Sequence, residues 1–555
     1  MFSRLLIANR GEIAVRIART CKELGVQAVA VYSDPDSGAR HVACADDAVR
    51  LPGRAPADTY LDGAAVIAAA HATGAEAIHP GYGFLAEDAD FARAVNASGL
   101  VWVGPPPEAM ESVADKLSAR RLAQAAGVPS VPGMLEPATS PADLLVFGAE
   151  HGYPVAVKAA GGGGGRGLKV VHAADEADAA WAAARREGLS YFGADTVYVE
   201  RYLDGPKHME VQILAPGPDE PMALGVRDCS LQRGYQKLIE ESPPPCWAER
   251  APEMTAAAAA LSRACGYVNA GTVEFLLDDA GRPYFLEVNA RLQVEHTVTE
   301  EVYGIDLVAC QLCIASGEPL GFTGGAEASG HAIECRVNAE DPVRGFMPSP
   351  GAITAYREPD APGVRIDSGY SAGDTVPDAY DSLVAKVIVW GADRPEARER
   401  TLHALDDFVI EGITTNLGAL RALVAHEAFS SGRHTTATLA EEGVLGLLKT
   451  SGEPDTEVPG TVLVDGVKAP LWHPAMTKAT SGRTAEEGIV APMQGTVLEV
   501  AVRLGDRVES GQALVVLEAM KMVTTIHAGR GGTVTALPVR TGEAVAAAQV
   551  LAVIE

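Results

Sequence analysis

At 555 residues, with 45 basic against 73 acidic side chains and a formal charge of -28, the chain can build several hydrophobic cores, and length alone suggests about three or four domains. This acidic balance disfavours nonspecific binding to nucleic acid or an anionic membrane, so anionic ligands must find local cationic clusters. Scattered cysteines, the lack of an uncharged apolar run of transmembrane length and a strand that opens too early for a signal peptide all point to a reduced, cytoplasmic protein.

From residue 1 to 113, short apolar runs (Leu5 to Ala8, Val26 to Tyr32, Ala77-Ile78, Val101 to Val103) alternate with helical segments such as Glu12 to Leu24. That order predicts a parallel sheet covered by helices. Asn9-Arg10-Gly11-Glu12 lies where the first strand meets its helix, a junction that often binds anions but is a weak signal alone.

From 114 to 330 the pattern becomes mixed α+β and holds most of the candidate chemistry. Pro154 to Ala160 reads as a strand running into Gly161 to Gly165, Arg166 and Gly167, then a second strand, Leu168 to Val171. A P-loop would need Gly-Lys-Ser/Thr opening a helix, and a dinucleotide fold a helix after its glycines. Strand, glycine loop, strand is neither. The glycines, Gly163, Gly164 and Gly165 among them, leave backbone N–H groups free to approach phosphate oxygens, and Lys158 supplies a charge at the base of the loop.

Gly271 to Leu276 and Pro283 to Asn289 form a second constellation. Paired through a loop at 279 to 282, these strands place Glu274 opposite Glu287, where two carboxylates repel. A bound cation removes that penalty, and the oxygen set Glu274, Glu287 and Asn289 suits Mg²⁺ or Mn²⁺ bridging nucleotide phosphates. Glu287 and Asn289 share one strand face, joined by Arg291 if the strand continues.

Cys310 and Cys313 form the one CxxC, inside the apolar helical stretch Leu307 to Ala315, and no second pair completes a zinc site. Residues 331 to 446 are a further mixed segment ending in helices around Pro395 to Leu423 and Leu439 to Leu448. Residues 447 to 487 read as a polar linker, interrupted by a small hairpin at Val462 to Val467. From 488 to 555 a repeat appears: Gly495-Thr496-Val497 returns as Gly532-Thr533-Val534, and Gly505, Val508, Gln512, Leu514, Val516 and Glu518 return as Gly542, Val545, Gln549, Leu551, Val553 and Glu555. Duplicated β units are implied, with Lys521 of Glu518-Ala519-Met520-Lys521-Met522 at the hairpin joining them.

The last segment resembles the biotinyl domain of biotin-dependent carboxylases, whose lysine is biotinylated at Ala-Met-Lys-Met; lipoyl domains usually carry Asp-Lys-Ala there. Val523 stands where many relatives have Glu. Residues 1 to 446 resemble the ATP-grasp family, specifically its biotin carboxylase branch, through His79-Pro80-Gly81-Tyr82-Gly83, Gln293-Val294-Glu295-His296, Glu334-Cys335-Arg336-Val337-Asn338-Ala339-Glu340 and Tyr380-Asp381-Ser382. The fold implied is a Rossmann-like N-terminal domain (1 to 113), an ATP-grasp domain with a glycine-loop lid (114 to 330), a mixed C-terminal domain (331 to 446) and an all-β flattened barrel (488 to 555). The resemblance further implies that Lys116, Lys158 and His208 contact ATP, that Glu200 and Leu203 hold adenine at the hinge, and that Gln232 lies on the nucleotide side. Tyr235 departs from the His of many bacterial relatives.

The implied reaction is ATP-dependent carboxylation of biotin by bicarbonate through carboxyphosphate. In it Glu295 is the general base, Lys237, Arg291 and the metal supply the cationic field, and Gln293 and the backbone of Val294 orient the anion. Arg336 stabilises the biotin enolate oxygen, and Tyr82 shapes the biotin pocket. The partners implied are a biotin protein ligase and a separate carboxyltransferase β subunit in a hetero-oligomer, since the chain has no residues left for a second active site. Its short form resembles actinobacterial acyl-CoA carboxylase α chains, with acetyl-CoA and propionyl-CoA as leading acceptors. Pyruvate or methylcrotonyl-CoA remain open as acceptors, as does a noncatalytic biotin carrier scaffold.

Overall fold

The computed structural model of the chain describes residues 1–161, 167–322, 327–440, 462–464, 467–469, 488–491, 495–519, 522–546 and 549–555. The chain divides into two compact units, Met1–Val376 with Leu383–Ser451, and Gly452–Glu555 with Pro377–Ser382.

The first unit opens with five parallel strands, β1 (Arg4–Ile7), β2 (Gln27–Tyr32), β3 (Asp47–Arg50), β4 (Ala77–His79) and β5 (Val101–Trp102), in the order β3-β2-β1-β4-β5. The expected runs form these strands because Leu5, Leu6, Ile7, Ala77 and Ile78 have nothing polar to expose and are fully buried. The helix Gly11–Leu24 buries Ile13, Ala14, Ile17, Ala18 and Cys21 along one stripe.

A small sheet follows, with β6 (Val155–Ala159) between β7 (Leu168–Val171) and β8 (Val197–Arg201), both antiparallel to it. It is covered by the helices Pro141–His151 and Ala177–Phe192. Gly167 has φ +68°, and a Cβ there would lie 2.7 Å from that of Ala159, so only glycine fits where β7 begins. Gly163, Gly164 and Gly165 lie outside the described residues.

The largest sheet adds β9 (Lys207–Ala215), β10 (Met222–Arg233), β11 (Gln236–Ser242), β12 (Asn269–Leu277), β13 (Pro283–Asn289), β14 (His331–Asn338), β15 (Val364–Ser368) and β16 (Leu383–Gly391), in the order β13-β12-β9-β10-β11-β14-β16-β15. It crosses position 330 without a break, because β11 pairs with β14 along Ile239↔Cys335 to Ser242↔Ala332. Alternation gives β14 and β16 two different faces. Ile333, Cys335, Val337, Val387 and Val389 enter an apolar core with the helices Arg394–Asp407 and Leu417–Ala425. Glu334, Arg336 and Lys386 occupy the other face, with Arg336 opposite Lys386. The helix Arg394–Asp407 starts where Asp393 accepts from the Glu396 N–H, a cap worth about 1 kcal/mol. The helix expected at Leu439 to Leu448 falls mainly outside the described residues.

The second unit contains the hairpin Val462–Val464 with Val467–Ala469, and two four-stranded sheets from residue 489 onward. Its core is built from repeat-related pairs 37 positions apart: Val497 with Val534, Val508 with Val545, Leu514 with Leu551 and Leu517 with Ile554. Strands Ala513–Ala519 and Met522–His527 are antiparallel and pair through Ala519 and Met522. Lys521 and Met520 lie outside the described residues, as does the side chain of Val523.

Candidate active site

Hydrogen-bond register sets the site. Along one row across the large sheet, Glu287 of β13 faces Glu274 of β12, Glu274 faces Glu210 of β9, and Glu210 faces Arg227 of β10. The hairpin register expected for Glu274 and Glu287 is the one observed. Three adjacent carboxylates cannot persist without cations. Lys237 of β11 answers this, its Nζ donating to Glu274 (3.1 Å), to Glu295 (2.7 Å) and to Glu210. Burial opposes a charge on Lys237, but the three carboxylates outweigh it and push its pKa well up. Burial pushes Glu210 up to about 7 despite Lys237.

Glu274 is enclosed by donors. Its Oε1 accepts from Asn289 (2.8 Å) and Gln293 (2.9 Å) as well as Lys237, and its Oε2 meets His208 Nε2 at 2.8 Å. Against the burial penalty, Lys237 and His208 hold its carboxyl well below the usual range. Glu287 is half-buried and lies 3.7 Å from Lys116 Nζ, while Asn289 Oδ1 accepts from Arg291 at 3.0 Å. The repulsion between Glu274 and Glu287 is therefore relieved within the chain itself. The chain's own cations can thus offset that repulsion where no ion is bound. The donor set nevertheless fits a hard divalent ion: Glu274, Glu287 and Asn289 present carboxylate and amide oxygens, with neither sulfur nor imidazole among them.

Glu295 sits at the N-terminal end of the helix His296–Tyr303. Its Oε1 accepts from Lys237, and its Oε2 accepts from Arg336 at 2.9 Å. Burial raises the Glu295 carboxyl, but Lys237 and Arg336 outweigh it and hold the group well below the ordinary carboxylate range. Arg336 is gripped in turn by Glu240, whose Oε1 accepts from Nε at 2.5 Å. Nearer β6, Lys158 pairs with Glu200, and Glu200 also accepts from Arg120 at 2.9 Å. The carboxylate of Glu200 is thus committed to two cations.

Lys116, Lys158, Glu200, Leu203, His208, Gln232, Lys237, Glu274, Glu287, Asn289, Arg291, Gln293, Val294, Glu295 and Arg336 all line one cavity of about 560 Å³. Tyr235 lines it too, with φ +74°. Tyr82 is placed differently: it does not line this cavity, and its hydroxyl donates to Glu12.

Several residues of the site went unrecognised in the sequence. Arg227 is wholly buried and donates to Gln212 (2.7 Å), Gln293 (2.9 Å), Thr272 (3.0 Å) and Thr299 (3.0 Å), besides its ion pair with Glu210. Glu210, Glu240 and Glu87, the last 3.0 Å from Arg291 Nε, were missed as well. The signal for Glu210 was present: His208, Glu210 and Gln212 alternate with Met209, Val211 and Ile213, the mark of a strand with one polar face.

The family models described as biotin carboxylase, N-terminal domain, carbamoyl-phosphate synthase L chain, ATP binding domain, biotin carboxylase C-terminal domain and biotin-requiring enzyme match residues 1–110, 115–323, 334–441 and 487–554 in turn. The chain is 42% identical over 562 residues to the biotin-dependent acyl-coenzyme A carboxylase alpha3 subunit of Mycobacterium leprae, covering 95% of this chain and 94% of that protein. It is 49% identical over 436 residues to the biotin carboxylase of Pseudomonas aeruginosa, covering 78% of this chain and 96% of that one. Among solved structures, the biotin carboxylase of Campylobacter jejuni in its β-γ-ATP complex has a TM-score of 0.77 at 40% identity, covering 79% of this chain and 99% of that one. The biotin carboxylase domain of the Hydrogenobacter thermophilus 2-oxoglutarate carboxylase, in complex with MgADP, ADP and bicarbonate, also has a TM-score of 0.77 at 40% identity, covering 80% and 98%. The chain belongs to the biotin-dependent carboxylases, and it carries the family's biotin carboxylase domains and its biotinyl domain together.

Proposed function

We propose that this ATP-dependent biotin carboxylase, which uses magnesium and bicarbonate, carboxylates biotin attached to its own Lys521 and supplies it to a separate carboxyltransferase β subunit that acts on a short-chain acyl-CoA. The acceptor assignment is supported by the match to the acyl-coenzyme A carboxylase alpha3 subunit, which extends through 95% of this chain and 94% of that protein. Biotin ligation at Lys521 is supported by the Ala-Met-Lys-Met sequence within a segment matched as a biotin-requiring enzyme.

The observation that carries the catalytic reading is Glu295 held between Lys237 and Arg336. Held so, the carboxylate is a poor base. An anion entering beside Lys237, Arg291 and Arg336 competes for those cations, and each one it draws away lets the basicity of Glu295 rise toward that of an ordinary glutamate. Glu295 then takes the bicarbonate proton while the cations stabilise the charge left behind. A bicarbonate oxygen bonds to the γ-phosphorus of ATP and the bond to ADP breaks, giving carboxyphosphate. Its carbon–oxygen cleavage yields CO₂ and phosphate, and phosphate takes the proton from the biotin nitrogen that bonds to CO₂. Arg336 holds the negative charge that develops on the ureido oxygen. Magnesium, held by Glu274, Glu287 and Asn289, would draw charge from the phosphate oxygens. Lys116, Lys158 and His208 would grip the phosphates, and the apolar wall of Val131, Leu203, Leu276 and Leu286 suits the flat face of adenine.

Bicarbonate-dependent ATP cleavage with free biotin should fall by about 10²-fold or more in Glu295→Ala and in Arg336→Ala, the scale of a lost general base or oxyanion donor. Full turnover in either variant removes the assignment. Intact mass should show one biotinyl group, absent from Lys521→Ala, and a panel of acyl-CoAs offered with the co-purified β subunit decides the acceptor.

A further inference from the structure

The loop from Arg291 to Glu295 is gripped from behind. His296 Nδ1 lies 2.7 Å from the Gln293 carbonyl oxygen, a contact that needs the proton on Nδ1, and burial keeps His296 neutral. That fixes the peptide plane carrying the Val294 N–H. The next plane, which carries the Val294 carbonyl and the Glu295 N–H, is held by Lys386, whose Nζ donates to the Val294 oxygen at 2.8 Å. Lys386 is wholly buried and does not line the cavity. A buried ammonium is costly unless paired, and its nearest counter-ion is Glu12 at 3.4 Å, the residue that also accepts from Tyr82, with Glu334 and Asp367 adding to the charge that favours it. Neutralising acids alone would not require the ammonium to end on a loop carbonyl.

We propose that Lys386 is a positioning residue for bicarbonate: by pinning the Val294 carbonyl it holds the consecutive peptides that aim the Val294 N–H and Glu295 into the cavity. The inference rests on the reading of Gln293, Val294 and Glu295 given above. A residue that merely balances charge would, when replaced, loosen the fold and weaken ATP and bicarbonate binding together. A residue that sets this loop acts on bicarbonate more than on ATP, because Lys116, Lys158, Glu200, Leu203, His208 and Gln232 all lie outside the loop, which reaches the nucleotide side only through Gln293 on Glu274 and Arg291 on Asn289.

The test is steady-state ATP cleavage by the full biotinylated chain with free biotin, varying bicarbonate and ATP separately. Lys386→Met is expected to raise the KM for bicarbonate about tenfold, the worth of one charge-assisted hydrogen bond, and to move the KM for ATP less than about twofold. Because a single replacement leaves Glu12 buried without its cation, Lys386→Met/Glu12→Gln is read beside it and compared with Glu12→Gln alone; removing an ion pair as a unit is far better tolerated. An unchanged bicarbonate KM, or equal rises in both KM values, overturns the proposal. Glu295→Ala in the same assay separates the two ideas: if it stays fully active the site reading itself fails, whereas an inactive Glu295→Ala beside a Lys386 variant with normal bicarbonate KM sinks only the role of Lys386.

Discussion

At the scale of single residues, the site is a set of carboxylates whose behaviour is decided by which cation each can reach. Glu274 and Glu295 reach Lys237 and are held strongly ionised. Glu334 does not fare so well. It lies opposite Glu240 on the neighbouring strand, its Oε1 is buried without a partner, and burial, which Lys386 only partly offsets, pushes its pKa up to about 8. From its ordinary value of 4.5 to about 8 the folded chain therefore keeps a proton on Glu334 that the unfolded chain releases. Stability must fall as pH rises through that window, by at most about 1.4 kcal/mol per pH unit from this group. Glu334→Gln carries no titrating proton there. Chemical denaturation at pH 6, 7, 8 and 9 should show a shallower decline in the variant than in the parent, and parallel curves would mean that Glu334 ionises normally.

At the scale of strands, the chemistry depends on neighbours that are distant in sequence. Alternation within Gly271 to Leu276 and Pro283 to Asn289 was enough to place Glu274 against Glu287, because a short loop leaves little choice of register. The same alternation along β9 showed a polar face but not what lay beside it, since β9 takes its partners from β10 and from β12, more than fifty residues on. Arg227 was illegible for that reason: beyond Glu210 and Gln212 on the adjoining strand, its value lies in bonds to Thr272, Gln293 and Thr299, all far along the chain. The sheet that continues past position 330 was not legible for a similar cause, as β11 and β14 pair across it. The strands that flank the glycine segment, by contrast, were legible, because Val155 to Lys158 and Leu168 to Val171 are apolar enough to be strands on their own account. If Arg227 ties three strands and a loop together, Arg227→Met should cost about 3–5 kcal/mol in denaturant unfolding, leaving Glu210 buried without that cation. Adding Glu210→Gln should recover part of the loss, because the charge then leaves with its partner. A cost no larger in the single variant than in the double would remove the ion pair from the explanation.

At the scale of the molecule, the two units have separate cores, and among the described residues the second draws its apolar residues from positions 489 to 554. Repeat-related residues pack on each other there, so the segment from 488 to 555 contains what it needs to fold without the rest. The chemistry does not separate so cleanly. In the proposed reaction biotin on Lys521 would be delivered to Glu295 and Arg336, and a covalent tether replaces a bimolecular encounter by an effective concentration of about a millimolar. Residues 1–446 and biotinylated 488–555, expressed apart and mixed, should therefore each unfold cooperatively, and ATP cleavage with free biotin should persist in the first. Carboxylation of the carrier in trans, at about 10 μM of each piece, should fall roughly 10²-fold below the intact chain and climb in proportion to the carrier added, as the ratio of the two concentrations requires. Equal rates in cis and in trans at that concentration would show that the pieces bind each other tightly, and that connection within one chain contributes nothing to the delivery of biotin.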